Sequence, residues 1–308
     1  MDTNISQPAK FYNKVKGIKS LKLAELTAIS ALPISKQPAA YAKLGKRKMG
    51  YIERLESESS AEVERLLKHM TPAGARRTIT DYRNHIKSLN PDHASLFFLK
   101  IPRTVNDEIN NNYKKKLKKR VSNLTPITHT EINKLIQTAI RDLSSDKYTR
   151  LCLALCLLTG RRTSELLLTA SMQPIAGKNQ VTFEGQAKAA KDSDKSAYSI
   201  PVLHDPIAIC EALERLKSIA PIHNLTLKQG ETLKSALNRR TGKTLAGVAR
   251  NNYNIKPHDL RALYAEYCTL TLKPSNTSKN SYMADILGHD ADDISTANSY
   301  QKFTINVT

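Results

Sequence analysis

Apolar residues recur at helical spacing along most of this chain. Ile52, Leu55, Val63, Leu66, Leu67 and Met70 form one such stripe, ended by Thr71-Pro72; Ile79, Tyr82, Ile86 and Leu89 form a second, ended by Asn90-Pro91. Residues 105–121, VNDEINNNYKKKLKKRV, place Val105, Ile109, Tyr113, Leu117 and Val121 at i, i+4 between lysines, a pattern that predicts one packed face on a basic helix. Farther along, the spacing predicts helices over 131–143, 147–159, 206–219, 231–250, 259–271, 281–287 and 295–303. Strand-like runs are rare. Val181-Thr182-Phe183 and Ala197-Tyr198-Ser199-Ile200, on either side of a Lys-rich polar loop, predict one β-hairpin.

Breaks in these patterns suggest the division of the chain. Residues 1–45, Lys-rich with Pro8, Pro33 and Pro38, read as a flexible basic arm with a short helix around 18–29. Residues 46–124 read as a small helical bundle closed by the basic helix 105–121. Thr128-His129-Thr130-Glu131 fits a capping box, so a second domain is expected over 125–308, mostly helical with a small sheet. At 308 residues the chain can bury two cores. The expected fold class is thus mainly α with a little β.

Charge adds the first functional constraint. The net charge is +20, and residues 1–124 hold 25 Lys and Arg against 11 Asp and Glu. Such an excess points to a polyanion, most simply nucleic acid, because neutralised phosphates release counterions whatever the base sequence. A solvated surface or a ribosome-associated protein is the plainer alternative, but no Trp and only five Phe give base-stacking RNA recognition little support. The front half therefore reads as an electrostatic clamp, with Lys114, Lys115, Lys118, Lys119 and Arg120, and Arg76 and Arg77 before them, as its phosphate contacts. The apolar run Leu151–Leu158 is too short to span a bilayer, and the first residues start no signal peptide; a cytoplasmic protein with no membrane partner is expected. Cys152, Cys156, Cys210 and Cys268 are scattered and read as reduced, buried thiols.

The pieces that carry chemistry are weak one by one. TGRRTSELL (residues 159–167) puts Arg162 in the first turn of a helix, and KPHDLR (256–261) puts His258 and Arg261 one turn apart. His289 follows Leu287-Gly288, and Tyr300 follows His289 by eleven residues. Tyr264, Tyr267 and Tyr282, among apolar neighbours, read as core. Cleaving a phosphodiester without a metal needs positive donors on the non-bridging oxygens, which forked arginines supply. A phenol with an ordinary pKa of about 10 needs cationic neighbours before it can attack. No carboxylate cluster or Gly-rich phosphate loop suggests Mg²⁺ or ATP, so neither cofactor nor metal is expected.

Taken in order, these pieces resemble the tyrosine recombinase catalytic domain: an Arg in T-G-x-R-x-x-E, a hairpin Lys, a His/Lys-x-x-Arg, an L-G-H and a Tyr about ten residues on. The likeness covers residues 125–308. Within that superfamily, GQAK (185–188), SYQKF (299–303) and the stretch IPRTVNDEINNNYKKKLKKR resemble the telomere resolvases, or protelomerases, although His258 stands where resolvases often carry Lys. The resemblance implies Tyr300 as nucleophile and Arg162 and Arg261 as the phosphate clamp. His258 and His289 become further donors, and Lys188 the general acid, with Lys191 and Lys195 as alternatives. Glu165 is expected to orient Arg162. It further implies a homodimer on double-stranded DNA with an inverted repeat, joined into hairpin ends through a 3′-phosphotyrosyl link, in a bacterial or phage-infected cell, with no small-molecule substrate. A conventional recombinase acting between two duplexes is the nearer alternative, and an inactive DNA-binding regulator the more distant one. Only eight residues follow Tyr300, little material for the tail that links recombinase tetramers.

Overall fold

The structure is a computed structural model that describes residues 7–17, 21–186, 197–222, 225–227, 231–289 and 299–306. The chain divides into two compact units, Met1–Lys115 with the short stretch Leu227–Glu231, and Lys116–Thr226 with Thr232–Thr308.

Unit one is helical: α1 Gln7–Val15, α2 Leu23–Ser30, α3 Gln37–Ala42, α4 Gly45–His69, α5 Pro72–Leu89, the single turn α6 Ser95–Phe98 and the start of α7 Arg103–Ser122. The expected stripes bury: Ile52, Leu55, Val63 and Leu66 of α4 meet Ile79, Tyr82 and Ile86 of α5 in one core. Thr71 begins α5 by accepting the Gly74 amide on its Oγ1 at 3.2 Å, with Pro72 just inside the helix. The expected flexible arm is a correction. Phe11, Val15, Leu21 and Leu26 lie in the same core, and each buried side chain of this size contributes about 1.5–3 kcal/mol. Lysines and prolines suggest an arm, but the apolar positions of this segment decide its packing.

α7 departs from expectation in a second way. Ile109 is buried, but Tyr113 and Val121 are exposed. Four residues turn a helix about 40° past a full circle, so a strict i, i+4 row winds steadily away from any one neighbour. The division between the units falls inside this helix, after Lys115.

Unit two is built on α9, Tyr148–Thr159, whose residues Leu151–Thr159 are all buried. A helix apolar all round must be central, and α8 His129–Asp142, α10 Thr163–Leu168, α11 Pro206–Ile219, α12 Leu233–Tyr253 and α13 Pro257–Leu272 all pack on it. The capping box is present: Thr128 Oγ1 accepts the Glu131 amide at 3.2 Å, and Glu131 accepts the Thr128 amide at 2.8 Å. The hairpin strands are β3 Gln180–Glu184 and β4 Ala197–Pro201, joined at the other edge by β2 Ser171–Pro174 in an antiparallel order β2-β3-β4. Cys152, Cys156 and Cys268 are buried and free, and Cys210 is half-buried.

A separate two-stranded sheet was not expected. β1 Thr125–Thr128 pairs in parallel with β5 Phe303–Asn306, Thr125 opposite Phe303. The predicted helix 295–303 is therefore corrected in its described part: Ser299 and Tyr300 form a turn and Phe303 opens a strand. Phe303 and Ile305 are buried against the domain core, which a strand can do with alternate residues. Among the described residues, no helix is long and apolar enough to cross a membrane.

Candidate active site

Gly160 ends α9 in a left-handed conformation at φ 67°, its amide bonded to the Cys156 carbonyl. A Cβ there would meet the Tyr264 ring at 2.2 Å. Only glycine allows both the turn and the close ring. The turn delivers Arg161 and Arg162 in opposite roles. Arg161 is buried: Nε donates to the Thr159 carbonyl at 3.2 Å, Nη1 to the Tyr198 hydroxyl and Nη2 to the Ile286 carbonyl, with Phe183 beneath it at 4.8 Å. Arg162 caps α10. Its amide donates to Glu165 Oε2 at 2.9 Å, Nη1 reaches Glu165 Oε1 at 2.5 Å, and Nη2 stands 3.4 Å from the Tyr300 hydroxyl.

Arg261, on the first turns of α13, is 1% exposed. Nη1 donates to the Gly160 carbonyl and Nη2 to the Leu287 carbonyl at 2.7 Å; Nε has no partner of hydrogen-bond geometry. Its guanidinium carbon lies 5.1 Å from the Tyr300 ring centre. Both Nη groups of Arg261 thus donate to backbone while its charge acts on Tyr300, and Arg162 presents a guanidinium edge to the phenol oxygen. Arg161 and Arg261 between them occupy consecutive carbonyls at the end of α14, Lys279–Leu287, where the helix dipole favours cations.

That helix end aims the next residue. Gly288, at φ 68°, caps α14 and returns the His289 amide to the Ala284 carbonyl at 2.8 Å. His289 then lies 5.4 Å from Tyr300, ring centre to ring centre, and His258 lies 5.2 Å away on α13. Gln186 donates to the Gly288 carbonyl, so the root of the 185–197 loop is fixed beside His289. Lys188, Lys191 and Lys195 lie outside the described residues.

The electrostatics follow from burial and from four neighbouring charges. Burial alone would raise the Tyr300 phenol, but the charges of Arg261 and Arg162 outweigh it and lower the pKa below its ordinary value. Tyr148, Tyr253, Tyr264 and Tyr282, in the same unit, are pushed up by burial instead. His258 is driven down to about 4 by burial, then by Lys302, Arg261 and Arg162. It is neutral at pH 7, a hydrogen-bonding group and not a cation. Burial and the charges of Arg161 and Arg162 take Arg261 down to about 10, still charged at neutral pH. Glu165 is wholly buried; burial would raise it, but Arg261, Arg162 and Arg161 hold it ionised below its usual range.

The structure thus brings Arg162, His258, Arg261, His289 and Tyr300 together. Sequence reasoning missed Arg161, whose one signal was its place beside Arg162, and Lys302, which pairs with Asp259 next to His258. Of the proposed phosphate contacts, Lys114, Lys115, Lys118, Lys119 and Arg77 are exposed. Arg76 is half-buried, its Nη1 within 3.0 Å of Asn106 and 2.9 Å of Asn110 in the same unit. Arg120 is half-buried as well and donates to the Ser299 carbonyl at 3.3 Å.

A tyrosine framed by two arginines and two histidines on a mostly helical domain defines the tyrosine-recombinase class. The sequence matches the telomere resolvase ResT/TelK catalytic domain over residues 123–303, more than half of the chain, and the chain belongs to that family. It is 26% identical over 181 residues to telomere resolvase ResT of Borreliella burgdorferi, covering 58% of this chain and 38% of that protein. It is also 26% identical over 246 residues to the protelomerase of Klebsiella oxytoca phage phiKO2, covering 71% and 37%. The match therefore spans less than two-fifths of the length of either relative. Among solved structures, protelomerase TelA covalently complexed with substrate DNA shares the fold with a TM-score of 0.72, 22% identity and coverage of 99% of this chain and 96% of that one. Protelomerase TelK complexed with substrate DNA gives 0.60, 19%, 98% and 65%.

Proposed function

We propose that this protein is a telomere resolvase that cleaves double-stranded DNA at an inverted repeat and rejoins it as two covalently closed hairpin ends. The observation that carries the reading is the Tyr300 hydroxyl at 3.4 Å from Arg162 Nη2, with Arg261 against its ring. The phenol gives up its proton to solvent under these charges, and its oxygen attacks the phosphorus. The bond to the 5′-oxygen breaks, that oxygen takes a proton from a loop lysine, Lys188 first among them, and a 3′-phosphotyrosyl link remains. The clamp's positive charges stabilise the charge that develops on the phosphate oxygens.

The energy of the broken bond is kept in the new link, so rejoining needs no cofactor. The 5′-hydroxyl of the opposite strand, folded back, gives its proton to the same lysine and attacks the phosphotyrosine, and the bond from phosphorus to Tyr300 breaks with the tyrosine leaving as phenolate. Two copies of the chain on a two-fold DNA site make both cuts. One structural relative, a mutant of protelomerase TelA, is complexed with DNA hairpin product, which supports the same outcome here. The exposed lysines Lys114, Lys115, Lys118 and Lys119 and Arg77 would track the DNA backbone.

The test is a linear duplex carrying a perfect inverted repeat, incubated with the protein in EDTA and without ATP. Two fragments that snap back to duplex after boiling and fast cooling are expected. Fragments that separate into single strands, or products that need two duplexes, would support a conventional recombinase instead. Binding with no covalent adduct would support an inactive regulator.

A further inference from the structure

Lys118 and Lys119 stand in water, whereas Arg120 beside them is half-buried and turned to backbone. Its Nη1 donates to the carbonyl of Ser299, the residue just before Tyr300. Beyond the tyrosine, the same part of the chain is held again. The Thr125 amide donates to the Lys302 carbonyl at 2.8 Å, and β1 then pairs with β5 in register through Asn306. The exit of α7 and the strand after it thus grip the tyrosine's turn on both sides, one bond before Tyr300 and a ladder after it. The sequence suggests Arg120 as a phosphate contact; in the structure its Nη1 meets a backbone carbonyl.

We infer that Arg120 is a positioning residue, whose hydrogen bond to the Ser299 carbonyl sets the turn that presents Tyr300 to the clamp. The inference rests on the reading of Tyr300 as nucleophile. A phosphate contact would hold DNA equally well before and after chemistry; a positioning contact acts on the tyrosine even without DNA. It also links the basic helix to the nucleophile, so that DNA seated along the end of α7 bears on the turn directly.

The experiment uses the full chain with Arg120→Ala and Arg120→Lys, read in two ways. On a palindromic suicide duplex at saturation, Arg120→Ala should form adduct about ten- to a hundredfold more slowly, the cost of misplacing a reacting group by about an ångström. The slope of log affinity against log salt should be unchanged. Arg120→Lys should recover most of the rate, since one N–H on one carbonyl is all the contact requires. The second reading needs no cleavage: protein labelled with fluorotyrosine, with the Tyr300 signal identified by its loss in Tyr300→Phe, is titrated without DNA. In Arg120→Ala that signal should shift and titrate at higher pH. A salt slope shallower by about 0.9, with adduct rate and fluorine signal unchanged, would make Arg120 a phosphate contact and overturn the inference. Should the parent chain form no adduct on any palindrome, the proposed function falls, and the fluorine titration alone still decides the role of Arg120.

Discussion

Arg162 and Tyr300 are 138 residues apart in the chain, yet Nη2 of the one stands 3.4 Å from the hydroxyl of the other. Neither alone explains the site. The guanidinium is fixed by Glu165 on its other edge, so it meets the phenol as an oriented donor and needs no rearrangement when charge develops.

Tyr300→Phe should keep DNA affinity and lose all covalent adduct, because the buried ring remains while the attacking oxygen is gone. Suicide substrates resolved on denaturing gels check this. A normal yield of adduct would assign the attack to another tyrosine.

Arg162 and Arg261, the two arginines proposed to clamp the phosphate, should differ in how their loss is felt. Arg162→Ala should slow cleavage by at least about a hundredfold, comparable to losing an oxyanion donor, and should lower the melting temperature as well, because the wholly buried Glu165 loses its paired cation; Lys should restore little, being unable to meet Glu165 and Tyr300 together. Arg261→Ala should slow cleavage and also destabilise the fold, by about 1–3 kcal/mol for each carbonyl left unsatisfied at Gly160 and Leu287. Single-turnover rates and urea midpoints for both variants separate the two effects.

His258 supplies a pH signature. In the unfolded chain it titrates near about 6.5, whereas in the folded site burial and the charges of Lys302, Arg261 and Arg162 hold it at about 4. Between these values the unfolded chain binds a proton that the folded protein refuses, so this residue's share of stability falls as pH drops through that window and levels off below it. Urea midpoints should therefore decline less steeply from about pH 6.5 to about pH 4 in His258→Gln than in the parent. Equal slopes would move the effect to another group.

Lys188→Ala should be rescued by a substrate whose scissile 5′-oxygen is replaced by sulfur, since a thiolate leaves without protonation. Rescue at Lys191 or Lys195 instead would move the acid within the loop and keep the mechanism. Cleavage rates on the paired substrates decide between them.

Most helices were legible because each rests on local signals, whereas the five clustered site residues, weak one by one, were legible only as an ordered series that resembles the tyrosine recombinase domain. Thr128 and Glu131 announce a cap, Gly160 and Gly288 mark turns, and apolar spacing marks faces. Short strands carry no such signal. β1 is four residues with the first two and the last exposed, and its partner lies at the far end of the domain, so nothing in either segment alone reveals the pair. Arg161 and Arg162 look alike in sequence; only the tertiary positions of Tyr198 and Ile286 make one structural and leave the other for Tyr300. The i, i+4 row of α7 failed for a geometric reason, the slow winding that takes Tyr113 and Val121 off the packed face.

The parallel pairing of β1 with β5 also bears on how the protein comes into being. Arg120 and Ser299 are separated by 179 residues, and the strands that follow them enclose nearly the whole of unit two between them. Joining such distant segments costs chain entropy that local helices do not, so these contacts belong to the slow end of folding. During synthesis α8 and α9 can collapse long before β5 has emerged. The phenol therefore reaches the arginines only after the scaffold behind them exists, so the cluster around Tyr300 is completed by the last part of the unit to be made.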